Sequence, residues 1–204
     1  MPGHAAAMTP AAGEWSSSVP TISTKRALPA FTDRLQLCPD LPAVSPICVG
    51  RVRDASVVIS AFERGCNFFF VSCDMHWPLY EQTRRGLSTL IESVGRDAIV
   101  VAAVVYVTQP EFQSAPIGEL IEETVRLERV DVVVAGGAYG DQLLPRLDVM
   151  QTHRSARRFG ARAVGASFHD RAAARMAVSH GLVDVAFVRF NAAHPGARDD
   201  ILVH

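Results

Sequence analysis

The densest run of side chains able to handle protons or ligands is Cys73-Asp74-Met75-His76-Trp77-Pro78-Leu79-Tyr80. A carboxylate, an imidazole and a phenol this close in sequence can supply the acid and base of a pocket wall. That makes His76, Asp74 and Tyr80 the candidate catalytic residues. The same residues have a plainer use, in which Asp74 and His76 start the helix that Pro78 opens and Trp77 packs against a neighbour. Cys73, Met75 and His76 are of metal-ligating type, but residues adjacent in sequence rarely converge on one ion, so no metal site is expected.

Four further clusters carry polar or aromatic groups. Tyr106, Thr108 and Gln109 form one, in which Tyr106 either donates a proton or fills the mouth of a pocket. Gly136-Gly137-Ala138-Tyr139-Gly140-Asp141 is glycine-rich, and such a loop either cradles a phosphate with its N–H groups or turns a corner. Ser167-Phe168-His169-Asp170 puts Ser167 and His169 in position for ligand binding, with Asp170 as a helix cap. Arg189, Asn191 and His194 form the last, where Arg189 either holds a carboxylate or phosphate or pairs with a structural acid. Tyr106, Ser167, His169, Arg189 and Asn191 are therefore the candidate ligand-binding residues. The arginines at 154, 157, 158 and 162 are expected on a solvated helix face, and His153 and His180 on helices without a special role.

The only lysine is Lys25. An arginine bias of this kind is typical of GC-rich bacterial genomes, and it leaves residues 36–204 without a lysine for a Schiff base or a phosphate loop.

The elements that must position these clusters alternate in type. Ser45 to Gly50, Asn67 to Ser72, Ala98 to Val105, Val130 to Ala135, Ala161 to Ala166 and Val183 to Phe187 are short apolar, mostly β-branched runs, expected as buried strands. Between them lie segments with helical spacing. Val57, Val58, Ala61 and Phe62 follow the capping residue Asp54 and stop at Gly65. Leu79, Leu87, Leu90 and Ile91 follow Pro78, and Ile117, Leu120, Ile121 and Val125 follow Pro116. Residues 146–159 are expected to be helical, as is an Ala-rich segment from Asp170 to Gly181. Six strands alternating with helices make right-handed βαβ units and a parallel sheet, either doubly wound or barrel-like. No G-x-G-x-x-G follows the first strand, which disfavours a dinucleotide-binding doubly wound sheet. In either architecture the clusters above fall at the C-terminal strand ends, where function collects.

Residues 1–35 are Ala-, Ser- and Pro-rich without periodicity and are expected as a disordered tail, leaving 36–204 as one domain. The net charge of −1 offers no field for nucleic acid or an anionic membrane. No apolar run reaches the roughly 18 residues of a membrane span, and no secretory signal is evident, so a cytoplasmic protein is expected. The cysteines at 38, 48, 66 and 73 form no C-x-x-C pair and are expected as free thiols.

Four segments, in order and at matching spacing, resemble the aldo-keto reductases. Gly65-Cys66-Asn67-Phe68-Phe69 resembles G-x-N-F-F-D. Arg126 to Ala135 resembles R-L-x-x-D-Y-I-D-L-x-L, Gly160 to His169 resembles G-K-I-R-A-I-G-V-S-N-F, and Val188 to Ala197 resembles V-x-Y-N-P-x-H. The resemblance covers about residues 41–200. It implies an incomplete (β/α) TIM-barrel-like fold of about six units, and NADP(H)-dependent carbonyl reduction by an Asp, a Tyr, a Lys and a His. Laid on this chain, those four positions hold Phe70, Met75, Val104 and Gly136. The family's nicotinamide-binding serine matches Ser167, while its neighbouring Asn is Phe168 and a later Gln falls near Phe187.

Three functions are compatible with this pattern. One is a non-standard enzyme acting on a small metabolite through Asp74, His76, Tyr80, Ser167 and His169. Another is a non-catalytic binding or assembly subunit, and a third is an NADP(H) oxidoreductase with a rearranged site. Open edges on the first and sixth strands lead us to expect a homo-oligomer, a companion chain or the N-terminal tail covering the gap.

Overall fold

The computed structural model describes residues 30, 32–138 and 142–201. Six strands form one sheet: β1 (Cys48–Val49), β2 (Phe68–Ser72), β3 (Val100–Val105), β4 (Val132–Ala138), β5 (Ala163–Phe168) and β6 (Val185–Val188). They pair in sequence order, and every pairing is parallel. A doubly wound sheet reverses its strand order at a switch point, and this one never does, so the sheet is a curled barrel wall. Helices α1 (Ser56–Glu63), α2 (Glu81–Val94), α3 (Ser114–Glu123), α4 (Leu143–Ser155) and α5 (Arg171–Ser179) make the crossovers, and a short α6 (Ala197–Asp200) follows β6.

Strand alternation divides the apolar residues into two cores. Phe69, Val71, Val101, Ala103, Val105, Val133, Val164 and Ala166 face the helices, where they meet Val58, Leu87, Leu90, Ile117, Leu120 and Met150. Phe68, Val100, Ala102, Val104, Val132, Val134 and Ala163 face the barrel interior together with Leu41 and Val44. The last two sit on a short hairpin before β1, closed by a two-way backbone bond between Leu35 and Val44. It packs against the residues that begin β2, β3, β4 and β5 and so plugs the bottom of the barrel. Only residues 30 and 32–35 of the expected tail fall among those described.

The strand starts are fastened by acids. Asp131 accepts the Val101 N–H at 2.8 Å and pairs with Arg96 at 2.7 Å. Arg96 also donates to the carbonyls of Leu127, Ile99 and Arg129. Two strands later, Asp184 accepts the Val164 N–H at 2.8 Å and pairs with Arg154 at 2.7 Å. Arg154 is thus an ion-pair partner and not simply part of a solvated face. Asn67 holds the approach to β1, accepting from Ser45 N and donating to Ala43 O.

Several expected boundaries shift for physical reasons. Trp77–Tyr80 forms a separate 3-10 turn before α2, which turns Leu79 outward. The helix α3 begins at Ser114 and ends at Glu123, leaving Val125 beyond it and exposed. Gly136 and Gly137 belong to β4, with a register shift against β5 between Ala135 and Ala138, so the glycine pair is not a loop. Tyr139, Gly140 and Asp141 lie outside the described residues. No helix among the described residues is long and apolar enough to cross a membrane. All four cysteines are free.

Candidate functional site

The C-terminal ends of the strands form a mouth whose wall is largely aromatic. Phe70 of β2 meets Phe187 of β6 with ring centroids 5.0 Å apart, although four strand spacings separate them around the wall. Tyr80 lies 6.4 Å from Phe70 on the other side. Tyr106, just past β3, packs against the His76 ring in a T-shaped contact with centroids 5.1 Å apart. Two inward-facing glycines make space for these rings. A β-carbon at Gly136 would lie 2.7 Å from Val104 Cγ2 and 2.8 Å from the Tyr106 ring. One at Gly165 would lie 3.4 Å from the Phe187 ring and 3.1 Å from the Val185 carbonyl. Glycine inside a strand marks such close approach. Gly136→Ala is therefore expected to cost about 1–3 kcal/mol as an overpacking change, read in chemical denaturation, and to displace Tyr106.

Asp74 holds the mouth's frame. Its Oδ2 accepts the N–H groups of Tyr106 and Val107 at 2.7 and 2.9 Å, and its Oδ1 accepts that of Met75 at 2.6 Å. The same stretch of backbone is held from the helix side. Arg146 Nη2 donates to Val105 O at 2.9 Å, and Gln113 Nε2 donates to Val107 O at 3.1 Å. Arg146 is fully buried, and Asp74 is the acid whose charge acts on it. The carboxylate thus binds backbone donors, and in this geometry it positions Tyr106. On the other flank, the Arg84 guanidinium lies 3.4 Å from the centre of the Trp77 ring and donates to the Trp77 carbonyl at 2.7 Å. That clamp fixes the turn carrying His76 and Tyr80.

Electrostatics at the mouth favour neutral phenols. Burial raises the pKa of Tyr80, with smaller contributions from Tyr106 and Cys48. Burial also raises that of Tyr106, with Asp74 adding to it. Cys73 is raised well above the ordinary thiol value by burial and by Asp74, and Cys48 is pushed up to about 12, so neither is a ready thiolate.

The candidate residues fall into two groups. His76, Tyr80, Tyr106 and Ser167 are half-buried around the mouth, with Asp74 beneath. His169 and Arg189 are exposed beside it, lining a cleft with Phe168, Arg171, Val188 and His194. Asn191 fastens the turn after β6, its Oδ1 accepting from Ala193 N and His194 N at 3.0 Å each. The sequence reading missed Arg146 and Gln113. Arg146 had a signal, since Leu143, Arg146, Leu147 and Met150 recur at helical spacing and put a cation on the buried stripe of α4. Among the described residues, no group of three or more His, Cys, Asp and Glu is placed to hold a metal ion.

No family model and no curated protein matches the sequence. Solved structures do match. An aldo-keto reductase from Bacillus halodurans, in its holo form, superposes with a TM-score of 0.63 at 11% identity, over 78% of this chain and 58% of that one. An aldo/keto reductase from Brucella melitensis gives a TM-score of 0.59 at 13% identity, covering 78% and 63%. The Bombyx mori aldo-keto reductase, in complex with NADP, gives 0.57 at 19% identity, covering 81% and 60%. This chain therefore spans less than two thirds of the length of these proteins. Sequential parallel strands and these superpositions agree: the chain has the fold of the aldo-keto reductases.

Proposed function

We propose that this chain uses the aldo-keto-reductase fold to bind a small metabolite at the barrel mouth, and that it does not reduce carbonyl groups by that family's Asp-Tyr-Lys-His chemistry. The observation that carries this reading is the lining of the mouth by the rings of Phe70, Tyr80, Tyr106 and Phe187. By resemblance, the four catalytic positions hold Phe70, Met75, Val104 and Gly136. Carbonyl reduction needs a proton donor and a neighbouring charge that lowers its pKa. Met75 is 64% exposed, Val104 is fully buried, and the two phenols nearby have raised pKa values.

The family's cofactor is a poor match to these residues. A nicotinamide carboxamide needs polar partners, and of Ser167, Phe168 and Phe187 only Ser167 offers one. Phe168 is buried against the helices, and Phe187 closes on Phe70. No step through a nicotinamide follows from this set.

A second reading, catalysis through His76, is favoured by one contact. The His76 ring is half-buried at the mouth against Tyr106, in a position to reach a ligand seated there. Both readings share the binding site. The expected second copy or companion chain would lie along the half-exposed strands β1 and β6.

Soaking crystals with a metabolite library and titrating the hits in solution tests the proposal. Density is expected between Tyr106, His76 and Phe187, and Tyr106→Ala is expected to weaken binding on the order of 10-fold through lost aromatic contact. Hits that bind equally well to Tyr106→Ala would contradict a mouth site. Turnover of a hit that His76→Ala abolishes would establish the catalytic reading.

A further inference from the structure

We infer that His153 is an acid-sensitive latch between α3 and α4, one that holds the backbone of the barrel mouth while the ring is neutral and loosens it when the ring is protonated.

His153 lies in the last turn of α4 and is 3% exposed. Its Nε2 is 3.0 Å from the hydroxyl of Ser114, the first residue of α3. Its ring meets that of Phe159 in a T-shaped contact, with centroids 5.3 Å apart. Its Nδ1 is buried and has no hydrogen-bond partner among the described residues. These contacts suit a neutral imidazole. With the proton on Nε2, the ring donates to Ser114 Oγ and Nδ1 buries only a lone pair. A protonated ring carries a second N–H, and at Nδ1 that donor meets no acceptor among the described residues. The charge itself is also held out of water.

The charged groups around the ring add to this cost. On α4, Arg154 is engaged with Asp184 at 2.7 Å, and Arg146 is a buried cation two turns earlier. On α3, Glu119, Glu122 and Glu123 are exposed. After α4 come Arg157 and Arg158, both exposed, and Arg158 is the charge that acts on the ring. Burial first, and Arg158 second, hold the pKa of His153 below its usual value. The C-terminal end of a helix favours a cation, and here those two effects outweigh it.

The joint is wired to the mouth. Ser114 follows Gln113, a buried side chain whose Nε2 donates to the Val107 carbonyl at 3.1 Å. Asp74 holds the N–H of the same Val107 and that of Tyr106. From the other helix, Arg146 donates to the Val105 carbonyl at 2.9 Å. Both helices that meet at His153 therefore also hold the segment that carries Tyr106. A group whose pKa is lowered by folding contributes stability above its unfolded value and withdraws it as the pH falls through the folded value. The latch thus begins to loosen below about pH 6.5, the ordinary imidazole value.

Proton–carbon NMR of the histidine rings in the full chain, titrated from neutral to mildly acidic pH, tests the inference. His153→Gln identifies the His153 signal and keeps an amide within reach of Ser114. Should that variant not fold, Ser114→Ala identifies the signal instead, by changing the ring's partner. The His153 signal is expected to titrate below the ordinary imidazole value. The side-chain amide signals of Gln113 are expected to move with the same midpoint and to stop moving in His153→Gln. Gln113 is the probe because His76 touches Tyr106 directly. The thermal midpoint of the wild type is expected to fall more steeply with acid than that of His153→Gln. A His153 signal that titrates at or above the ordinary value would overturn the inference. So would a Gln113 that stays still while His153 titrates, or thermal midpoints that fall in parallel in the two proteins.

Discussion

Replacing Arg96 with methionine is expected to lower the unfolding free energy by about 3–5 kcal/mol, as removal of one partner from a buried ion pair does. Methionine keeps most of the volume, so the loss reports the ion pair and the guanidinium's hydrogen bonds and not a cavity. Arg96 and Asp131 have side chains 4% and 2% exposed. The guanidinium serves three carbonyls besides the carboxylate, and Asp131 also accepts the Val101 N–H. Burial, with a smaller push from Arg129, holds the pKa of Arg96 below its usual value, against the opposing carboxylate of Asp131. Without Arg96, Asp131 stays buried at the joint between β3 and β4 with Arg129 Nε, 3.9 Å away, as its cationic neighbour. Urea denaturation reads the effect, and a change under about 1 kcal/mol would show that the pair adds little beyond its desolvation cost. The pair sits at the N-terminal end of the strands, so ligand affinity at the mouth is expected to survive at temperatures where the variant stays folded.

Asp74→Ala is expected to cost about 2–4 kcal/mol and to disorder the mouth as well. Each orphaned buried donor costs roughly 1–3 kcal/mol, and here the N–H groups of Tyr106 and Val107 lose their acceptor. Asp74→Asn keeps an acceptor oxygen and the side chain's shape, so it is expected to recover part of both losses. A structural role predicts that stability and ligand affinity fall together and recover together in Asp74→Asn. A role in acid–base chemistry predicts instead a variant of nearly native stability with turnover alone removed. Melting curves and titrations on the same preparations separate the two.

The fold was legible because strands covered on both faces leave little choice of residue. Val130-Asp131-Val132 and Val183-Asp184-Val185 repeat one device, an acid at the strand start accepting an N–H of the preceding strand and pairing with an arginine. The repeat is visible in the sequence, but its partners, Arg96 and Arg154, are 35 and 30 residues away and are not. The same limit applies at the mouth. The cluster around His76 could be found by composition, yet the task of Asp74 depends on the Tyr106 N–H, 32 residues further along. Gly136-Gly137 has the composition of a loop, and only the register of β4 against β3 and β5 shows Gly136 making way for Tyr106. The contact of Phe70 with Phe187 crosses the barrel and has no local signature.

NADPH titration, followed by its fluorescence and by absorbance in the presence of aldehydes and ketones, tests most directly whether this barrel mouth has left carbonyl reduction behind. With Phe70, Met75, Val104 and Gly136 at the catalytic positions that the resemblance implies, neither saturable binding in the micromolar range nor substrate-dependent oxidation of the nucleotide is expected. Tight NADPH binding with hydride delivered to a carbonyl would contradict that expectation.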